Sequence, residues 1–119
     1  MPVRSFNSRV LRWPGRAEVD RAVRALAGRL GAAHPELLQL GYFGSYARGD
    51  FGPGSDVDLV AIVRRAPRPF HERALEFDVM GLPVPAQLLV YTEDEWRNGR
   101  ATPGGFLPMV DREAVWVYP

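Results

Sequence analysis

Gly44-Ser45-Tyr46-Ala47-Arg48-Gly49-Asp50-Phe51-Gly52-Pro53-Gly54-Ser55-Asp56-Val57-Asp58-Leu59 is the stretch that decides the fold. An apolar segment, Leu37 to Phe43, runs into Gly44 and reads as a strand, and the missing side chain there lets the backbone turn sharply. Tyr46 to Gly49 suffices for one helical turn, with the Ser45 hydroxyl at its start, where free N–H groups favour an anion such as phosphate. Asp50 to Ser55 is rich in Gly and Pro and reads as a loop. Val57 to Val63 is then a nearly continuous aliphatic run, the pattern of a central strand covered on both faces.

Outward from this strand–turn–loop–strand unit, the pattern alternates helices and strands. Val19, Val23, Leu26 and Leu30 recur at spacings of four, three and four, with Ala22 and Ala27 between them. They form one stripe of an amphipathic helix from Arg16 to about Ala33, which His34-Pro35 ends. Downstream, Phe70 to about Met80 reads as a second helix, with Phe70, Ala74, Leu75 and Phe77 as its apolar positions. Ala86 to Tyr91 reads as a buried strand and Glu93 to Arg97 as a short helix capped by Thr92. Asn98 to Gly105 has the composition of a loop, Phe106 to Arg112 reads as helix, and Ala114 to Tyr118 as a last strand. Upstream, Ser8 to Trp13 reads as a short edge strand. The expected class is α/β (α+β), a mixed sheet flanked by helices, in a single domain over residues 1–119.

Composition removes whole classes of chemistry. The chain has no cysteine, which excludes a disulfide scaffold, an iron–sulfur cluster and thiol catalysis. All its basic residues are arginine, so neither a Schiff-base lysine nor a P-loop lysine is available. His34 and His71 lack zinc-ligand spacing. A net charge of +1 provides no global field for nucleic acid, which is not expected as a direct substrate. The longest apolar runs are strand-length and the first residues carry no secretory pattern, so a cytoplasmic protein without membrane contact is expected. Arg64, Arg65 and Arg68 read as a solvated turn. Trp13, Trp96 and Trp116 read as packing residues.

Asp56 and Asp58 are two residues apart at the head of the central strand, so their carboxylates project from one face. Asp58 also lies within an otherwise aliphatic strand, where an unpartnered carboxylate is costly. Two carboxylates beside a phosphate-binding turn attract Mg²⁺ or Mn²⁺, which completes its shell with water and substrate phosphates. A pair of such ions about 4 Å apart activates an attacking hydroxyl and stabilises leaving pyrophosphate. Arg48 serves as a partner to phosphate or to a nearby Asp.

The spacing Gly44-Ser45, ten residues, Asp56-Val57-Asp58, with Ala47-Arg48-Gly49-Asp50 and Ser55 between, resembles the signature of the DNA polymerase β-like nucleotidyltransferases. Within that superfamily it looks like the minimal nucleotidyltransferase branch. The resemblance follows element order from Arg16 to Tyr118, and only residues 41–60 are specific. It implies catalytic, metal-holding Asp56 and Asp58, and a nucleotide held by Gly44, Ser45, Arg48 and Ser55. It also implies transfer of a nucleoside monophosphate from ATP or another NTP to an acceptor hydroxyl. The third carboxylate of the family falls on the strand after the second helix, at Gln87, which has no charge and cannot act as a base. Glu76, Asp78 and Glu93 are the substitutes to look for. Short members commonly pair with a helical HEPN protein as the antitoxin of a toxin–antitoxin couple. With no second lobe to hold an acceptor, such a partner is expected here, and a homodimer is compatible with the sequence. The competing reading is a nucleotide-binding or docking module that has lost turnover with the third carboxylate.

Overall fold

A computed structural model of the chain describes residues 12–119. Most of the edge strand expected at Ser8–Trp13 lies outside the described residues, and Arg12 and Trp13 carry no regular secondary structure. The element order is α1 (Arg16–Ala33), β1 (Leu37–Phe43), α2 (Ser45–Arg48), β2 (Val57–Val63), α3 (Phe70–Arg73), β3 (Ala86–Thr92), α4 (Glu93–Arg100), α5 (Phe106–Glu113) and β4 (Val115–Tyr118). A 3₁₀ turn, Ala74–Glu76, follows α3 directly.

The four strands form one mixed sheet in the order β3-β2-β1-β4. β1 runs antiparallel to both β2 and β4, and β2 runs parallel to β3. The parallel pair needs a crossover, which residues 64–85 supply. Strand side chains alternate between two cores. Leu40, Tyr42, Val57, Leu59, Ala61 and Val63 face α1, whose stripe of Val19, Val23, Leu26 and Leu30 is buried against them. Val60, Ile62 and Phe43 face the other way, toward Trp96 of α4 and Leu107 and Val110 of α5. Asp58 and Gln87 belong by period to this second face, near the starts of β2 and β3, where Asp58 is half-buried and Gln87 exposed.

Three expectations change in detail. Residues 70–80 form only one α-helical turn and a 3₁₀ turn; at Phe77 the backbone is extended, and its ring turns into the core beside His34. Leu75 is therefore no core residue: it is 78% exposed. β3 is an edge strand and half-buried, because nothing pairs with its outer side among the described residues. α4 continues to Arg100, into the stretch read as loop. Its start is as expected: Thr92 Oγ1 accepts the Glu95 N–H, and the Glu95 carboxylate accepts the Thr92 N–H, a reciprocal capping box. Glu95 also receives a two-pronged contact from buried Arg73, at 2.6 and 3.1 Å. Arg73 donates further to the carbonyls of Val90 and Arg68, so one guanidinium ties α3, β3 and α4 together. No helix among the described residues is long and apolar enough to cross a membrane.

Candidate functional site

Gly44 joins β1 to α2 with φ 78°, in the left-handed region that side chains disfavour. Space adds a second reason for glycine. A Cβ at Gly44 would overlap Oδ2 of Asp58, so the absent side chain is what lets the turn close over that carboxylate. The strands explain the closeness, since Phe43 is the register partner of Asp58. One sequence motif thus folds so that its first residue touches its last.

Asp56 stands just ahead of β2 and Asp58 is its second residue. Burial raises the pKa of the Asp58 carboxyl above its ordinary value, the negative charge of Asp56 adds to the rise, and Arg48 opposes it. The Asp58 carboxylate therefore lacks full compensation from the protein, the electrostatic condition that favours a cation. Hard oxygen donors, a close pair of acids and a turn with room only for a hydrogen at residue 44 fit a divalent ion of the magnesium class. Among the described residues no three acidic or imidazole side chains converge as a ready-made metal cluster. The protein offers two carboxylates, and the remaining ligands would come from water and substrate.

The other sequence-chosen residues divide. Arg48 is near the pair and is held by two acids: its Nε donates to Asp50 at 3.1 Å, and its Nη1 donates to Glu113 at 3.1 and 3.2 Å. Ser45 opens α2, and its carbonyl accepts the N–H groups of Gly49 and Asp50, which shapes the return of the turn. Ser55 acts on the loop itself. Its Oγ accepts the Gly52 N–H at 2.9 Å and its own N–H donates to the Gly52 carbonyl, closing the chain ahead of Asp56.

Gln87 is the register partner of Asp58 on the parallel neighbour β3, the place where a third acid would stand. None of the named substitutes makes up for it. Glu76 is bound to Arg68, Asp78 accepts the Met80 N–H, and Glu93 lines a cavity of about 270 Å³ with Ile62, Trp96 and Arg100. Ile62 lies near the far end of β2, so that cavity is separate from the aspartate site. The acid that does reach the site is Glu113, which sequence reasoning missed. It ends α5, adds its charge to the surroundings of Asp58, and accepts the Gly44 N–H at 2.7 Å. Nothing local marks it, because it is 69 residues from Gly44 and arrives only through the pairing of β4 with β1.

The strand–turn–strand unit and the mixed sheet that carries it have the build of a nucleotidyltransferase domain. The nucleotidyltransferase domain family model matches residues 23–101, about two thirds of the chain, and the chain belongs to that family. Glu113 lies outside the matched segment. Among solved structures, a crystal structure of a Sulfolobus solfataricus protein designated a nucleotidyltransferase is similar, with a TM-score of 0.61 and 18% identity, over 85% of this chain and 80% of that one. At that identity the likeness speaks for the fold. No curated protein matches the sequence.

Proposed function

We propose that the protein transfers a nucleoside monophosphate, AMP from ATP, to an acceptor hydroxyl with the help of Mg²⁺ or Mn²⁺ held by Asp56 and Asp58. The observation that carries this reading is the closure of Gly44 onto Asp58 beside the charge of Asp56. A bound divalent ion would supply charge neutralisation at the triphosphate and polarise the reacting phosphorus. The chain's own residues do the rest. Within the Gly44–Arg48 turn, the N–H groups of Ser45 and Tyr46 and the Arg48 guanidinium would meet phosphate oxygens, because the N–H groups of Gly44, Ala47 and Arg48 are taken within the protein. Ser55 fixes the loop that delivers Asp56. The acceptor is assigned to a HEPN-type helical partner, with the protein as antitoxin, on the strength of the resemblance to minimal nucleotidyltransferases.

One observation favours a second reading, a nucleotide-binding antitoxin module with little turnover. Gln87 pairs with Asp58 in register and brings neither charge nor a base. Pyrophosphate release from ATP and Mg²⁺, with a purified HEPN-type partner present, decides between them. On the enzyme reading the wild type turns over and the partner gains mass corresponding to AMP. On the docking reading the wild type binds ATP and the partner without release, and Gln87→Asp raises release by at least ~10²-fold, the scale of restoring one preorganised acid. Absence of ATP binding by wild type and variant alike would refute both.

A further inference from the structure

The mutual arrangement of α5 and the Gly44–Arg48 turn points to a role for Glu113, an acid that the aspartate signature does not include. Its side chain is only 16% exposed, and both of its oxygens are used. Oε1 accepts the Gly44 N–H at 2.7 Å and the Arg48 Nη1–H at 3.1 Å, and Oε2 receives the same nitrogen at 3.2 Å. One carboxylate therefore holds the first residue of the turn and the guanidinium at its end. Asp50 holds the Nε edge of the same guanidinium, so two acids fix it. Among the described residues, Nη2 of Arg48 donates no hydrogen bond to a protein group. That leaves donors of a pre-aimed guanidinium to meet a phosphate oxygen.

Placement explains why α5 can do this. Leu107 and Val110 bury one side of the helix against Phe43, Val60 and Ile62, which sets its height over the sheet. Three residues beyond Val110, Glu113 comes to the same side of the helix, at its end nearest Gly44. Ala114 then turns the chain into β4, whose Val115 pairs with Tyr42 of β1. Helix and strand together leave the Glu113 backbone little freedom. Glu113 does not complete a three-acid cluster with Asp56 and Asp58, and its oxygens are already hydrogen-bonded.

We infer that Glu113 is a positioning residue: it locks the Gly44–Arg48 turn against Asp58, and the affinity of the site for a nucleoside triphosphate depends on that lock. The inference rests on the nucleotide-binding reading above and goes beyond it by making the C-terminal helix part of the substrate site.

The test measures MgATP binding by calorimetry for wild type, Glu113→Ala, Glu113→Gln, Arg48→Ala and the Arg48→Ala/Glu113→Ala double variant. Gly44 amide exchange in nucleotide-free protein is followed in parallel by NMR. Losing a charge-assisted hydrogen bond should weaken MgATP by roughly 10- to 100-fold in Glu113→Ala. Glu113→Gln, which still accepts the Gly44 N–H, should recover part of that loss. Arg48→Ala should cost less in the Glu113→Ala background than in wild type, because both act through one guanidinium. The Gly44 amide should exchange faster in Glu113→Ala without nucleotide. If wild type binds MgATP and Glu113→Ala binds it equally well, or if the two substitutions simply add, the inference is overturned while the nucleotide reading stands. If wild type binds no nucleotide, both fall, even with the Gly44 amide protected by Glu113.

Discussion

A single hydrogen at residue 44 decides whether the motif can close, because a methyl group there would meet both a positive φ and the Asp58 carboxylate. Gly44→Ala should therefore lower stability by about 1–3 kcal/mol and abolish MgATP binding, as read by thermal melting and calorimetry. Asp58 should behave oppositely in stability. Its charge is disfavoured by burial and by Asp56, so Asp58→Asn, in chelator at neutral pH, should melt at the same temperature as wild type or higher. A clearly lower melting temperature would mean that the carboxylate is structural. At this scale Gly44, Asp56 and Asp58 were legible because they lie within one short motif. Glu113 was not, because only tertiary pairing brings it to Gly44.

Between residue and fold, the start of α4 combines a capping box with the ion pair of Arg73 and Glu95. Thr92→Ala removes half of the capping box and should cost about 1 kcal/mol. The hydrogen bond from Arg73 holds the Glu95 carboxyl below its ordinary value of 4.5, with the Thr92 backbone helping. A depressed acid stabilises the fold above its unfolded pKa and loses that contribution as pH falls through the folded value. The advantage of wild type over Glu95→Gln should thus be full at neutral pH and fade below pH 4.5 in denaturant titrations. An advantage that persists unchanged in acid would contradict the ion pair as its source. Thr92 and its helix were readable from local capping chemistry. The shortened helix after Phe70 was not, because Phe77 and Leu75 fit a helical stripe equally well, and only the core's demand for Phe77 broke the helix.

Across the whole molecule, one sheet divides the labour. Its α1 face is a continuous apolar core, and its other face packs against α4 and α5 and carries Asp58 and Gln87 near one end. The central strand β2 was legible from its aliphatic run. The edge position of β3 was not, since its apolar residues match those of a buried strand while its exposure depends on sheet order. Asp58 bridges the scales, belonging by position to the core strand and by chemistry to the site. The most direct test titrates ATP into wild type and Asp58→Asn, each with Mg²⁺ and with excess chelator. Saturable binding by wild type that needs Mg²⁺ and vanishes in folded Asp58→Asn is the predicted result. Binding that survives in Asp58→Asn or in chelator, or no binding by folded wild type with Mg²⁺, would contradict the account.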